Sequence, residues 1–491
     1  MKLNLKKYLT DAKVEEKHIR SLYAHCEDVK IIVHSMGNPS IPILLIYSDY
    51  IVDKKQMNDI ILPRLQEMMM KKKEKDGSWD QEIEWTKLEA KNELNQVSLE
   101  IFDGNLVLFF LDDQAFYSVS VSNKPNRSPE DSNYEVSIRG PRDNFVEDIS
   151  TNVALIRKRL RHPSLSYQTF TIGERTKTKI GLLYLEDVVN MNILGEIRHR
   201  LSNISLDGIT STTQVQEIIA DQSLSIFPLT GDTTRPDFAV DCLLQGRFIL
   251  VVDGNPLVII APVTISFLVK SAEDTHFSYL PVSLGRLFRY SGFLIAIYLP
   301  GFWIALLAYH QDQIPFTLLA TVTMARLGLP FPAPLELFIV LFLLEMFREA
   351  GQRLPSPIGQ TLSVVGGLII GDAAIRAGFI SPSVIVITAL SAIAGYTLVN
   401  QVLLGAVSVM RAAVVIASSV LGLFGFFIAG FAITLHLARL RSFGIPYLVQ
   451  VNPQSVSDVL KALFRFPWKF IFHRPVYMQN QNTGKRKEGK K

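Results

Sequence analysis

Charged residues crowd the first 290 positions of this 491-residue chain, whereas Ser291 to Ala438 is strongly apolar. That asymmetry limits the fold more than any short motif. About 20 apolar residues let a helix span a bilayer, and a helix satisfies its own backbone groups where no water can. The chain is therefore expected to join an α/β cytosolic domain of two subdomains to an all-α, multi-span membrane domain. The net charge of +4 is small and argues against nucleic acid as the main partner. Cys26 and Cys242 are the two cysteines; with no CxxC and no histidine cluster, neither a disulfide framework, a metal site nor a cofactor is expected. The opening MKLNLKKYLTDAKVEEKHIR lacks the apolar core of a signal peptide, so the amino-terminal half is expected to stay in the cytosol.

Residues 1 to about 30 read as an amphipathic helix, and Val29 to Ile51 as two strands around a Gly37–Pro39 turn. Asn58 to Lys75 reads as a helix, followed by strands at VSLEIFDG, NLVLFFLDD and QAFYSVSV. Residues 1–121 thus form a first α/β subdomain, and the polar, proline-containing 122–136 a linker. A helix capped at Asp148 or Ser150 runs through Leu160, with Arg157, Lys158 and Arg159 on its outer faces. SYQTFTIG and KTKIGLLYL read as strands, and VVNMNILGEIRHRLSNI as a helix. Phe248 to Val269 is nearly long enough to span, but Asp253-Gly254-Asn255-Pro256 are turn residues, so it reads as a β-hairpin. The second subdomain is placed at 137–285.

Beyond Arg286 and Arg289 the membrane domain, 286–440, begins. Candidate spans are Phe293 to Tyr309, with a Pro300-Gly301 kink, Leu335 to Met346, a central helix, Val384 to Val399, and Ala412 to Leu435. Ile314 to Leu327 suits an interfacial segment. The basic tail, 441–491, with Arg439 at its edge and KRKEGKK at its end, should remain cytosolic. Both termini on one side require an even number of crossings: four is expected, with six the alternative. No internal repeat is visible.

The central helix, Arg353 to Gly378, is RLPSPIGQTLSVVGGLIIGDAAIRAG. Pro355 and Pro357 suit its beginning. Turning 100° per residue puts Gly359, Ser363, Gly366, Gly367, Gly371, Ala374 and Gly378 on one side, a face suited to close helix packing in lipid. Thr361, Val365, Leu368 and Asp372 fall opposite. A carboxylate in such a segment points to function; the plainer reading is an Asp372–Arg376 pair near the membrane surface.

Several blocks in order resemble the A subunit of bacterial spore germinant receptors, the GerA type. They are RGPRDNFVEDISTNVALIRKRL (Arg139–Leu160), FPLTGDTTRPD (Phe227–Asp237), DGNPLVIIAP (Asp253–Pro262), PFPAPLE (Pro330–Glu336) and REAGQRLPSPIGQTLSVVGGLIIG (Arg348–Gly371). The resemblance covers about Ser137 to Pro446, and the first 120 residues match loosely. Glu273-Asp274-Thr275-His276 stands where the family more usually shows a carboxylate and paired tyrosines. After Ala394, GYTLVNQVLLGAVSVMR replaces a Phe–Pro bend.

The resemblance implies a multi-pass protein of the spore inner membrane, acting with a permease-like B subunit and a lipoprotein C subunit. It also implies a homo-oligomeric ring, a pentamer, forming a nutrient-gated channel that releases monovalent cations and starts germination. On that picture the helical wheel makes Thr361, Val365, Leu368 and Asp372 pore-lining, the apolar pair gating by dewetting and the polar pair favouring cations. Gly359, Ser363, Gly367 and Gly371 would pack the helices. Arg139, Arg142 and Glu147 are expected to form salt bridges holding the subdomains, or to touch a neighbouring subunit. Arg235 and Asp237 suit a buried ion pair at a turn. Glu345, Arg348, Glu349 and Arg353 alternate in sign at the membrane edge, either coupling the cytosolic domain to the pore or anchoring a helix end. The alternative function is a secondary transporter with Glu336, Glu345 and Asp372 as coupling sites. No phosphate loop, metal-ligand set or nucleophile motif occurs in 137–285, so an enzyme is not expected.

Overall fold

The computed structural model describes residues 16–36, 41–71, 85–88, 93–111, 115–123, 135, 137–353, 371–449, 456–470, 473–482 and 484. Among these, one compact unit holds the residues up to Ala220, Thr230–Pro262 and those beyond Phe472, and a second holds Asp221–Leu229 and Val263–Ile471. The expected boundary at 285 thus lies at Pro262. The expected separate tail is divided, its first part staying with the helices and its last part joining the α/β unit.

The α/β unit contains two antiparallel sheets. Helix α1 (Glu16–Leu22) precedes strands β1 (Val29–Met36) and β2 (Ile41–Ser48); α2 (Leu62–Lys71), β3 (Trp85–Lys87), α3 (Glu93–Phe102), β4 (Asn105–Phe110) and β5 (Ala115–Ser120) follow. Ile43, Leu45 and Tyr47 pack under α2, while Leu44 and Ile46 pack with Val97 and Ile101 of α3, the period-two alternation of a sheet covered on both faces. VSLEIFDG, expected as a strand, is the end of α3. Its Val97, Leu99 and Ile101 alternate like a strand, yet Val97 and Ile101 are one helical turn apart and buried, and Leu99 is 49% exposed.

The second sheet starts from α4 (Ile149–Arg159), then β6 (Leu165–Ile172), β7 (Thr178–Leu185), α5 (Met191–Ser202) and α6 (Thr212–Ile219). It closes with β8 (Gly231–Thr233), α7 (Pro236–Leu244), β9 (Phe248–Val252) and β10 (Val258–Ala261). Asp148 caps α4 as expected, accepting from the Thr151 amide. The β9–β10 hairpin also forms as expected. The spatial orders are β1-β2-β4-β5-β3 and β6-β7-β9-β10-β8. Shifted by five strands, the two orders are identical, and each sheet has a helix before its first strand and helices flanking its third. The unit is a topological duplication that no sequence repeat announces.

The helical unit comprises α8 (Tyr279–Tyr309), α9 (Phe316–Arg326), α10 (Ala333–Arg353), a helical turn at 371–376, α11 (Pro382–Tyr396) and Gln401–Arg439. By length and composition, Tyr279–Tyr309 and Gln401–Arg439 are long and apolar enough to cross a membrane. The latter is not one rod. Gly422, at φ 61°, ψ −141°, breaks it into arms α12 (401–421) and α13 (423–439), in a backbone region open essentially to glycine alone. Along α8, Gly301 faces Val414 and Ser418, and the Tyr309 hydroxyl donates to the Ser419 carbonyl at 2.7 Å. Past Gly422 the order reverses: Phe426 lies against Phe302 at 5.5 Å between ring centroids, and Gly430 against Tyr298. So α13 returns antiparallel to α12, where one span, Ala412 to Leu435, was expected. The chain then makes a short ribbon, Arg441–Ser442 with Ile445–Pro446, and α14 (Val456–Leu463). The ribbon region ties both ends of the unit together, since Ser442 Oγ accepts from Val263 N at 3.0 Å and Tyr447 O from Ile265 N at 3.2 Å.

Candidate functional site

In the helical unit, α8 is clamped to its neighbours by glycines lying outside the glycine-rich stretch. A Cβ on Gly292 would sit 2.7 Å from the Ala394 carbonyl, and one on Gly301 would sit 2.6 Å from Val414. Ser391 Oγ donates to the Ala296 carbonyl at 2.9 Å. Close backbone approach at small residues is how helices associate in an apolar medium.

Among the described residues around this frame, three groups of buried and half-buried charges stand out. Glu336, fully buried, accepts from the Ser381 amide at 2.9 Å, at the start of α11, and from Arg326 at 3.2 Å. A carboxylate at a helix N-terminus complements the dipole there. Glu345 accepts from Arg411 at 2.5 Å and pairs with Arg348 at 2.8 Å. Ser408 bridges, accepting from Arg348 at 3.1 Å and Arg411 at 3.3 Å. This cluster joins α10 to α12 and lines a cavity of about 20 Å³ with Tyr396, room for about one water. Two guanidiniums share one carboxylate in it. Arg411 was not anticipated, although a lone arginine in the apolar run 401–435 was a readable signal.

At the base of α8, Asp274 pairs with Arg286 at 2.8 Å and with Arg289 at 2.7 Å. Burial alone would raise the Asp274 carboxyl pKa, but the hydrogen bonds and charges of Arg289 and Arg286 outweigh it and hold the carboxyl below its ordinary range. Asp274 therefore fixes the beginning of α8, the longest unbroken helix among the described residues.

Of the expected pore-facing residues, Thr361, Val365 and Leu368 lie outside the described residues, as do Gly359, Ser363 and Gly367 of the packing face. Asp372 pairs with Arg376 at 2.8 Å, one helical turn away, and both side chains are more than half exposed. Gly371 has open space where a Cβ would be, no atom of the described residues lying within 4 Å. Arg353 pairs with Glu349 in the open, at 2.6 Å. Arg235 and Asp237 form the bidentate buried pair, at 2.8 and 3.1 Å.

Arg139, Arg142 and Glu147 are exposed on the segment leading to α4. Arg157 and Asp28 form a buried pair that joins the subdomains, with two hydrogen bonds of 2.8 Å and neither side chain exposed. Arg157, expected on an outer face of α4, also lies 4.4 Å from the Phe102 ring centroid. Asp28 at the start of β1 offers it a buried carboxylate, which periodicity along α4 alone does not reveal.

Compared with known proteins, residues 17–477 match the family model described as Bacillus/Clostridium GerA spore germination protein. The chain is 44% identical over 479 residues to spore germination protein XA of Bacillus anthracis, covering 96% of this chain and 97% of that one. It is 32% identical over 451 residues to the uncharacterized membrane protein YfkQ of Bacillus subtilis, covering 92% and 88%. The crystal structure of the N-terminal domain of the A subunit of the Bacillus megaterium spore germinant receptor GerK3 is 27% identical, covers 50% of this chain and 92% of that one, and superposes with a TM-score of 0.38.

Proposed function

Because the chain belongs to the GerA spore germination protein family, we propose that it is the A subunit of a nutrient-sensing germinant receptor. It sits in the spore inner membrane with both termini cytosolic and acts with a permease-like B subunit and a lipoprotein C subunit. It forms a homo-oligomeric ring, a pentamer, around a nutrient-gated channel that passes monovalent cations. It is not an enzyme in this reading.

The observation that carries the proposal is the match along 17–477, which takes in the α/β unit and the helices together. The geometry supports it at one point. No atom of the described residues lies within 4 Å of where a Gly371 Cβ would be, and the Asp372–Arg376 pair on the same turn is more than half exposed, which leaves room there for a neighbouring copy. Thr361, Val365, Leu368 and Asp372 are the proposed pore face. Gly359, Ser363, Gly367 and Gly371 are the proposed contact face. The Glu345–Arg348–Arg411 cluster is the proposed coupling element, because shifting α10 against α12 must break it. A transporter reading is less favoured, since Glu336 and Glu345 are engaged in ion pairs and helix capping.

The test is a cysteine scan of Gln360–Arg376 in the reconstituted receptor. Modification should block nutrient-triggered ion flow at Thr361, Val365, Leu368 and Asp372 and spare the positions between. Uniform indifference along the scan removes this helix from the conduction path.

A further inference from the structure

At 31 residues, α8 is about 46 Å long, some 16 Å more than the hydrocarbon core of a bilayer. Its apolar run starts after Arg289, so the excess is the segment 279–289. That segment does not have the surface of a solvated helix end. Leu280 is 65% exposed and Phe288 57%, with Leu284 and Leu287 completing one helical stripe. Beside it runs the segment through α14, where the Arg465 amide donates to Ser283 Oγ at 3.0 Å. This second segment exposes Leu460 and Phe464, one turn apart, then Trp468 and Phe470. Lys469 stands exposed between the last two, and Arg465 lies 5.4 Å from the Trp468 ring centroid. So many large exposed apolar side chains on two adjoining segments mark an interaction site. Tryptophan and phenylalanine interleaved with basic residues fit the boundary between headgroups and acyl chains of an anionic bilayer.

We infer that Val456–Phe470 is an interfacial anchor, lying in the headgroup layer of an anionic cytosolic leaflet beside the first turns of α8. The inference rests on the membrane-spanning reading above and adds to it a surface-lying element, its depth and its lipid charge. A partner protein on the same patch is the competing occupant, and the experiment separates the two.

The full chain, with Trp79, Trp85 and Trp303 replaced by phenylalanine, is reconstituted into phosphatidylcholine vesicles with and without phosphatidylglycerol. Trp468 fluorescence should be quenched by lipids brominated near the headgroup end of the acyl chain and protected from aqueous acrylamide. Adding phosphatidylglycerol should increase anchor occupancy, and Lys469→Glu should reduce that gain, by about fivefold per basic charge near the surface. If the triple variant does not fold, a nitroxide on Phe470→Cys reports the same depth through its relative accessibility to oxygen and to a nickel chelate. Quenching by acrylamide but not by lipid, in protein that resists carbonate extraction, overturns the anchor and leaves the spanning reading standing. Shielding from both quenchers assigns the patch to a protein and also overturns it. Release by carbonate overturns both readings.

Discussion

Arg157 reaches from α4 across to the start of β1 with no exposed surface, and Asp28 is the carboxylate paired with its charge. Removing one member of such a pair leaves the other ion buried and uncompensated, a loss of about 3–5 kcal/mol. Arg157→Ala should therefore lower the unfolding free energy of the α/β unit by that amount, read as a lower denaturant midpoint at unchanged slope, and Asp28→Asn together with Arg157→Leu should recover part of it. A midpoint unchanged in Arg157→Ala means the pair does not hold the subdomains together. Asp274 supplies a pH dependence of determined sign. Its folded carboxyl pKa lies below the ordinary 3.8. The stability it contributes is therefore fully present above that value and is lost as pH falls through the lowered one. Asp274→Asn should flatten the acid limb of the melting profile; an unaltered limb shows that Asp274 contributes nothing to acid stability.

The reversal at Gly422 is where the elements differ most from expectation. A continuous 39-residue helix would be about 58 Å long, and its end would run far beyond the Tyr298 level of α8. A short bifunctional thiol cross-linker should join Tyr298→Cys to Gly430→Cys, and detecting no such link would restore the single rod. Gly422→Ala should fail to fold correctly, because the φ, ψ pair there excludes a side chain. The longer strands of both sheets (not β3 or β8), the Asp148 cap and the Asp253–Gly254 hairpin were legible because polar turn residues interrupt apolar runs of period two or 3.6. In GLFGFF, residues 422–427, the chain turns without a polar residue. Periodicity then continues through the break, and only tertiary contacts expose it. Helix α3 failed for the opposite reason, because Val97, Leu99 and Ile101 satisfy a strand pattern by coincidence. In the candidate site, the Arg235–Asp237 pair was readable from adjacency. Glu345 with Arg411 needed two helices distant in sequence to meet, and the Asp28–Arg157 pair two sheets.

Across the whole molecule the chain leaves the α/β unit at Pro262 and rejoins it after Ile471. The returning segment is docked onto the second sheet's surroundings: Met478 is 1% exposed, Asn480 Nδ2 donates to the Gln245 carbonyl at 2.9 Å, and the Gln481 amide donates to Val188 O at 3.2 Å. Arg474 reaches the Leu244 carbonyl at 2.8 Å. Truncation after Ile471 should destabilise the α/β unit, since burying one methionine is worth about 1.5–3 kcal/mol, and it should raise proteolysis near Gln245. A truncated protein with an unchanged melting profile would show the docking to be incidental. The same return path sets an order of events during synthesis. The described strands of both five-stranded sheets leave the ribosome before any of the long helices, yet the segment docked beside the second sheet follows those helices in the chain. The half of the molecule that is born first must wait, incompletely clothed, until those long helices have been produced.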